Sequence, residues 1–205
     1  NLDLMYGLPE QTMEQWRGTL RSGLALGPKH LSLYCLTLEY GTPMESLVRK
    51  GIIEDPDPDL AADMYLLAQH MLDKAGYYQY EISNWALPGQ ESRHNLVYWH
   101  NGPYLGVGPG AHSSLDGHRF SNLISPRAYI QKTESWLHQN GHPKSPLNTS
   151  MLRGIPIVDQ IEVIDQSTEM AETMILGLRL QEGISAEGFY SRFGSHLLDT
   201  YGQVV

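Results

Sequence analysis

Cysteine is almost missing from this chain: Cys35 is the only one in 205 residues. A lone thiol excludes an internal disulfide and any iron–sulfur cluster held by several cysteines of this chain. Basic residues are sparse as well. Fourteen lysines and arginines, scattered along the chain, stand against 23 acids, and the formal charge is −9. The positive footprint that grips a phosphate backbone is therefore lacking, and no nucleic-acid partner is expected. No apolar run approaches the roughly 18 residues of a membrane span. Nor does a basic-then-apolar start mark a secretory leader, so the expectation is a cytoplasmic protein. What the chain does have, 41% hydrophobic residues without low-complexity segments, is enough for a folded core.

Strand and helix patterns alternate from the first residue. Leu2–Tyr6 is a short apolar run of the kind covered on both faces of a parallel sheet. Met13, Trp16, Leu20 and Leu24 then recur at helical spacing until Gly27-Pro28, and residues 31–38, LSLYCLTL, form a second strand. This strand–helix–strand order predicts a right-handed βαβ unit with parallel strands. A short helix near Met44–Lys50 and a longer one with Leu60, Met64, Leu67, Met71 and Ala75 on one stripe follow, the latter ended by Gly76. Residues 78–85 read as one strand. Asn95–Trp99 and Tyr104–Val107 read as extended segments around an Asn101-Gly102 turn, and Asp116-Gly117 as a second hairpin turn. From Ser125 the pattern becomes helical. Ser125-Pro126 starts a helix reaching about Gln139, a polar connection spans Gly141 to Pro146, Ser167 caps a helix ended by Gly183, and Ser185 caps another with Phe189, Phe193 and Leu197. The first and last residues resemble strands cut in the middle, so a piece of a longer protein is expected.

Polar chemistry, aromatics and glycine concentrate between Tyr77 and Ser113. Gly106-Val-Gly108-Pro-Gly110-Ala111 fits the G-x-G-x-x-A fingerprint, but a hairpin rather than a helix follows it. A tight crossing, where a ligand or another stretch of backbone approaches closely, suits it better. Asp3 is a carboxylate in an otherwise apolar strand and requires either a basic partner or a ligand. His30, His70, His138, His142 and His196 read as solvated or capping, and His118, beside a turn, likewise. His94 differs, sharing its segment with Asn95, Tyr98 and Trp99. A neutral imidazole suits haem iron, and the residues alone leave that role and a histidine satisfied in the core equally open. No Ser/His/Asp, zinc or paired-carboxylate spacing appears.

The segments NLDLMYGLPEQT, LSLYCLTLEYGTP, QYEISNWALPG and RHNLVYWHNGPYLGVGPGAHS together resemble the C-terminal half of radical S-adenosylmethionine proteins related to oxygen-independent coproporphyrinogen III oxidase. The H-N-x-x-Y-W motif, here His94, Asn95, Tyr98 and Trp99, resembles the branch described as haem chaperones. Many relatives carry a cysteine two residues before the histidine, where this chain has Ser92. The resemblance implies an α/β fold, the C-terminal part of a partial (β/α) barrel over residues 1–124, followed by a small helical, winged-helix-like domain over residues 125–205. It implies haem bound through His94, Asn95, Tyr98 and Trp99, with His94 on the iron. It also implies S-adenosylmethionine near Asp3, Thr37 and His112, and a 4Fe-4S cluster whose C-x-x-x-C-x-x-C ligands lie outside this chain. An acceptor protein for the haem follows, which a membrane-associated protein would satisfy. The alternative is the oxidase itself, decarboxylating coproporphyrinogen III, with this piece alone inactive; the HNLVYW stretch separates the two. An open strand edge near Leu4 or Leu33 predicts a dimer or other self-association.

Overall fold

The computed structural model describes residues 1–142 and 149–202, and no helix among them is long and apolar enough to cross a membrane. They form two compact units, Asn1–Ser92 with Leu180–Glu182, and Arg93–Arg179 with Gly183–Val205. The expected boundary between residues 124 and 125 falls inside the second unit. The connection expected over Gly141 to Pro146 lies outside the described residues from Pro143 onward, as does the terminal Gln203–Val205.

The first unit contains β1 (Leu2–Tyr6), α1 (Met13–Ala25), β2 (His30–Cys35), α2 (Pro43–Arg49), α3 (Pro58–Lys74), β3 (Tyr78–Glu81) and β4 (Asn84–Ala86). Its sheet runs in the order β1-β2-β4-β3. As expected, β1 and β2 are parallel, with Leu4 opposite Leu33, and α1 makes the crossover. A capping box starts α1: Gln15 N–H donates to Thr12 Oγ1 at 3.3 Å, and Thr12 N–H donates to Gln15 Oε1 at 2.8 Å. Trp16 and Leu20 carry its buried face.

Several expectations for this unit are corrected. The face of the sheet away from the helices is covered only in part: His30, Ser32 and Asn84 are buried on it, whereas its β1 side is open. Leu2, Leu4, Tyr6, Leu31 and Leu33 pack against the helices, while Asp3, Met5 and Tyr34 are exposed. On α3 the fully buried residues are Ala61, Met64, Ala68 and Leu72; Leu60, Leu67 and Met71 of the expected stripe flank them against the same core, and Ala75 is exposed. The two buried alanines bring the helix close to the sheet: Ala61 Cβ lies 3.3 Å from where a Cβ on Gly7 would sit. Residues 78–85 make a hairpin rather than one strand. The Glu81 carboxylate accepts Ser83 N–H at 3.0 Å and the Asn84 amide, which turns the chain through Ile82-Ser83, with a shift of register between Gln79 and Glu81. Strand β2 stops at Cys35, three residues before the expected end, and among the described residues β1 pairs with β2 alone.

The second unit holds α4 (Arg93–Trp99), β5 (His112–Leu115), β6 (His118–Asn122), α5 (Pro126–Asn140), a 3-10 turn at Thr149–Gly154, β7 (Val158–Val163), α6 (Gln166–Gly177), α7 (Ala186–Phe193) and α8 (Leu197–Tyr201). Asp116 and Gly117, with φ of 47° and 69°, make the tight β5–β6 turn expected of Asp-Gly. Strand β7 corrects the purely helical reading of the later residues by completing an antiparallel sheet with β5 and β6. Its exposed and half-buried residues do not alternate, so the sheet pairing that makes it a strand is written in distant residues. Asp165 rather than Ser167 caps α6, and the helix ends at Gly177, well before Gly183. A small core of Met170, Phe189 and Phe193 lies beneath, with Met174 and Leu197 against it.

Candidate functional site

The H-N-x-x-Y-W stretch is a helix, not the expected strand. Asn101, at φ 49°, takes the left-handed position after it. Asn101 N–H bonds to Tyr98 O at 2.9 Å and Gly102 N–H to Val97 O at 2.8 Å. This is a Schellman closure with asparagine in the glycine position, so Asn101-Gly102 ends a helix instead of turning a hairpin. The helical spacing divides the motif into two faces. On one face His94 Nε2 lies 3.1 Å from Tyr98 Oη, with the rings edge to face at 4.9 Å, and Tyr98 meets Tyr104 at 4.7 Å. Burial, ahead of neighbouring charges, pushes the Tyr104 phenol up. His94 itself is exposed. On the other face, Trp99 is half-buried with the Arg179 guanidinium 4.3 Å over its ring.

A helix of seven residues is marginal alone, and this one is anchored at its C-terminus. Asn101 Nδ2 donates to Thr173 Oγ1 at 3.1 Å, and Arg192 donates to Asn101 O at 2.7 Å, His100 O at 3.2 Å and Glu169 Oε1 at 2.5 Å. Beside this anchor lies a cavity of about 220 Å³ lined by Asn101, Ser114, Asp116, Glu169, Glu172 and Arg192. Two of its acids are already paired: Arg192 holds Glu169, and Arg119 reaches both Glu172 oxygens at 2.8 Å.

The glycine-rich segment is the close backbone crossing that its composition implied. A Cβ on Gly106 would stand 2.2 Å from His112 O and 2.9 Å from Ala111 Cβ. Gly106 N–H donates to the buried Ser113 Oγ at 2.9 Å, and Asn122 Nδ2 donates to Gly108 O at 2.9 Å. Because the clash is with backbone, Gly106→Ala is expected to lower stability by about 1–3 kcal/mol or more. Urea unfolding checks this, and a change below about 0.5 kcal/mol, the size of an ordinary surface substitution, would contradict the crossing. His112 is exposed at the start of β5.

Asp3 and Thr37 belong to the first unit. Thr37 is exposed beyond the end of β2. Asp3 is exposed too, so the burial cost that called for a partner does not arise; its Oδ1 accepts from Asn1 Nδ2 at 2.5 Å. His30 corrects its solvated reading: it is 7% exposed, the first residue of β2, with Nε2 2.8 Å from Tyr80 Oη and Nδ1 2.6 Å from Asn1 Oδ1. Burial, the largest cause, lowers its pKa against the pull of Asp3, Glu81 and Glu91. The structure thus brings together His94, Asn95, Tyr98 and Trp99 on α4, with His112 in the same unit and Asp3 and Thr37 in the other. Sequence reading missed His30, Tyr80, Tyr104 and Arg179, whose partners are all distant in the chain or across an unforeseen helix.

These residues fit haem ligation. In the tautomer whose Nε2–H donates to Tyr98 Oη, His94 Nδ1 carries the lone pair, and Tyr98 fixes the ring from behind as a partner of a metal-bound histidine does. They do not fit a cluster site, because Cys35 is the only thiolate source and no group of three metal-ligating side chains occurs among the described residues.

A family model described as the HemN C-terminal domain matches residues 164–205. The curated "Heme chaperone HemW" of Synechocystis is 40% identical over 185 residues, covering 90% of this chain and 41% of that protein. The "Heme chaperone HemW" of Bacillus subtilis is 34% identical over 205 residues, covering 100% of this chain and 49% of that one. The chain thus spans about half the length of these curated relatives. In fold it matches the solved coproporphyrinogen III oxidase (HemN) of Escherichia coli, described as a radical SAM enzyme, with a TM-score of 0.65 over 98% of this chain and 44% of that one at 18% identity. With the HNLVYW helix and the parallel β1–α1–β2 unit already in place, these matches make the chain a member of the HemW- and HemN-related, coproporphyrinogen III oxidase-like radical S-adenosylmethionine family.

Proposed function

We propose that this chain is the haem-binding portion of a haem chaperone, which holds haem through His94 and passes it to an acceptor protein. The observation that carries this reading is the exposed His94 with Tyr98 Oη at 3.1 Å, an imidazole oriented from one side and open on the other. An exposed ligand on a short helix suits a cargo that must leave, whereas an oxidase would enclose its porphyrin. Haem supplies the iron that His94 binds; Trp99 and Asn95, on the second face of the helix, support the helix that presents it. Asp3, Thr37 and His112 are the chain's contribution to S-adenosylmethionine binding, and the cluster is carried by other residues of the protein. The curated names of the relatives support the chaperone reading over the oxidase.

Two measurements test it together. The chain is expected to bind haem with a defined Soret band, and the protein that carries it is expected not to convert coproporphyrinogen III anaerobically. Turnover of coproporphyrinogen III without haem binding would reverse the assignment. Reconstitution of these 205 residues with iron and sulfide should leave no stoichiometric cluster absorbance, since a 4Fe-4S centre takes several cysteines; one cluster per monomer would contradict that.

The outer edge of β1 also supports self-association. Its backbone groups pair on one side only, and Leu2, Leu4, Gly23 and Leu26 line a shallow apolar groove beside it. An uncovered edge next to apolar surface favours strand addition. Sedimentation across a concentration series is expected to show a growing dimer or larger species that a lysine at Leu4 suppresses. A strictly monomeric chain at high concentration would contradict this.

A further inference from the structure

Asp3 is the end of a run of hydrogen bonds with a defined direction. Its carboxylate can only accept, so the Asn1 amide NH₂ donates to it at 2.5 Å. Asn1 Oδ1 then faces His30 Nδ1 at 2.6 Å and Ser32 Oγ at 3.3 Å, and since it can only accept, both of these donate. A neutral imidazole with its proton on Nδ1 has a lone pair on Nε2, which accepts from Tyr80 Oη at 2.8 Å. Tyr80 Oη accepts in turn from Ser92 N–H at 3.4 Å. His30, Ser32 and Tyr80 are 7%, 3% and 6% exposed, yet the carboxylate they lead to lies open. Burying three polar side chains where apolar ones would pack is not a route to stability, because their net hydrogen-bond gain is small. Holding one exposed group in a fixed direction is what such a row accomplishes.

We propose that His30 is a positioning residue for the Asp3 carboxylate: with Ser32 it clamps the Asn1 carboxamide, so that the amide NH₂ ties Asp3 Oδ1 and the carboxylate is set for a ligand bearing hydroxyl or ammonium donors. This rests on the reading of Asp3 as a residue facing S-adenosylmethionine, which presents an ammonium and ribose hydroxyls. A carboxylate offers about four acceptor positions, so the bond from Asn1 leaves capacity for the ligand. The lowered pKa of His30 keeps the ring in the neutral form that the row requires.

The test has one part that needs no ligand. Long-range proton–nitrogen correlation spectra of the chain at neutral pH are expected to show His30 as the Nδ1–H tautomer. His30→Ala is expected to speed hydrogen exchange of the Asn1 side-chain amide and weaken S-adenosylmethionine binding, each by about 2- to 10-fold, the worth of one hydrogen bond. His30→Asn, whose amide N–H takes the place of Nδ1–H, is expected to restore both, which a merely space-filling role would not do. Should His30→Ala fail to fold, Tyr80→Phe serves instead: with the donor to Nε2 gone, Asn1 Oδ1 alone is expected to keep the proton on Nδ1, and a switch to the Nε2–H tautomer would overturn the clamp. An Nε2–H tautomer in the parent, or unchanged amide exchange in His30→Ala, overturns the inference. If the parent chain binds no S-adenosylmethionine, the reading of Asp3 fails while the tautomer and exchange data still decide the placement by His30.

Discussion

Trp16→Ala is expected to destabilise the first unit by about 3–5 kcal/mol, the range for deleting a fully enclosed aromatic side chain. Trp16 is 0% exposed. Its ring lies 5.4 Å from that of Tyr6, and its indole Nε1 donates to Met64 O at 2.8 Å. One side chain therefore joins α1, α3 and β1, and alanine would leave a cavity between two helices and the sheet. A phenylalanine at position 16 would keep most of the volume and lose the bond to Met64 O, costing about 0.5–1.5 kcal/mol for the bond beside the smaller loss of volume. Since domains are stable by about 5–15 kcal/mol, the alanine variant stands near the limit of folding. Urea denaturation of both variants checks this, and a cost below about 1 kcal/mol for Trp16→Ala would mean that the core is not organised around it.

The elements that could be read from the sequence are those whose pattern is local. Strand β1, helix α1 and strand β2 follow from uninterrupted apolar patterns, the starts at Ser125 and Ser185 from capping chemistry, and the β5–β6 turn from Asp116-Gly117. The misreadings share a cause: a local signal with two physical solutions. Asn101-Gly102 serves equally to close a hairpin or, with asparagine left-handed, to stop a helix. Residues His94 and Tyr98, four apart, share a face in either conformation, so the motif alone could not decide between strand and helix. The anchors that select the helix, Arg192 and Thr173, lie far along the chain. Strand β7 depends in the same way on pairing with β6. His30 was misjudged because its neighbours in space, Asn1 and Tyr80, are invisible to a linear reading. The candidate haem motif was recognisable as residues; its division into an exposed His94–Tyr98 face and a Trp99 face stacked by Arg179 was not.

His94→Ala carries the other large expected effect. Loss of a partner that fixes a metal-bound histidine costs about 10- to 100-fold in affinity, so Tyr98→Phe should weaken haem binding within that range and His94→Ala by more. Haem adheres loosely to many exposed histidines, and His100 and His112 are both exposed, which makes them the proper controls. The direct measurement is a haem titration of the parent, His94→Ala, His100→Ala and His112→Ala chains, followed by the Soret band and the dissociation constant. Haem bound by the parent and by the two controls with one common spectrum, and lost in His94→Ala, is the predicted result; unchanged affinity and spectrum in His94→Ala, with binding abolished by either of the others, would contradict it.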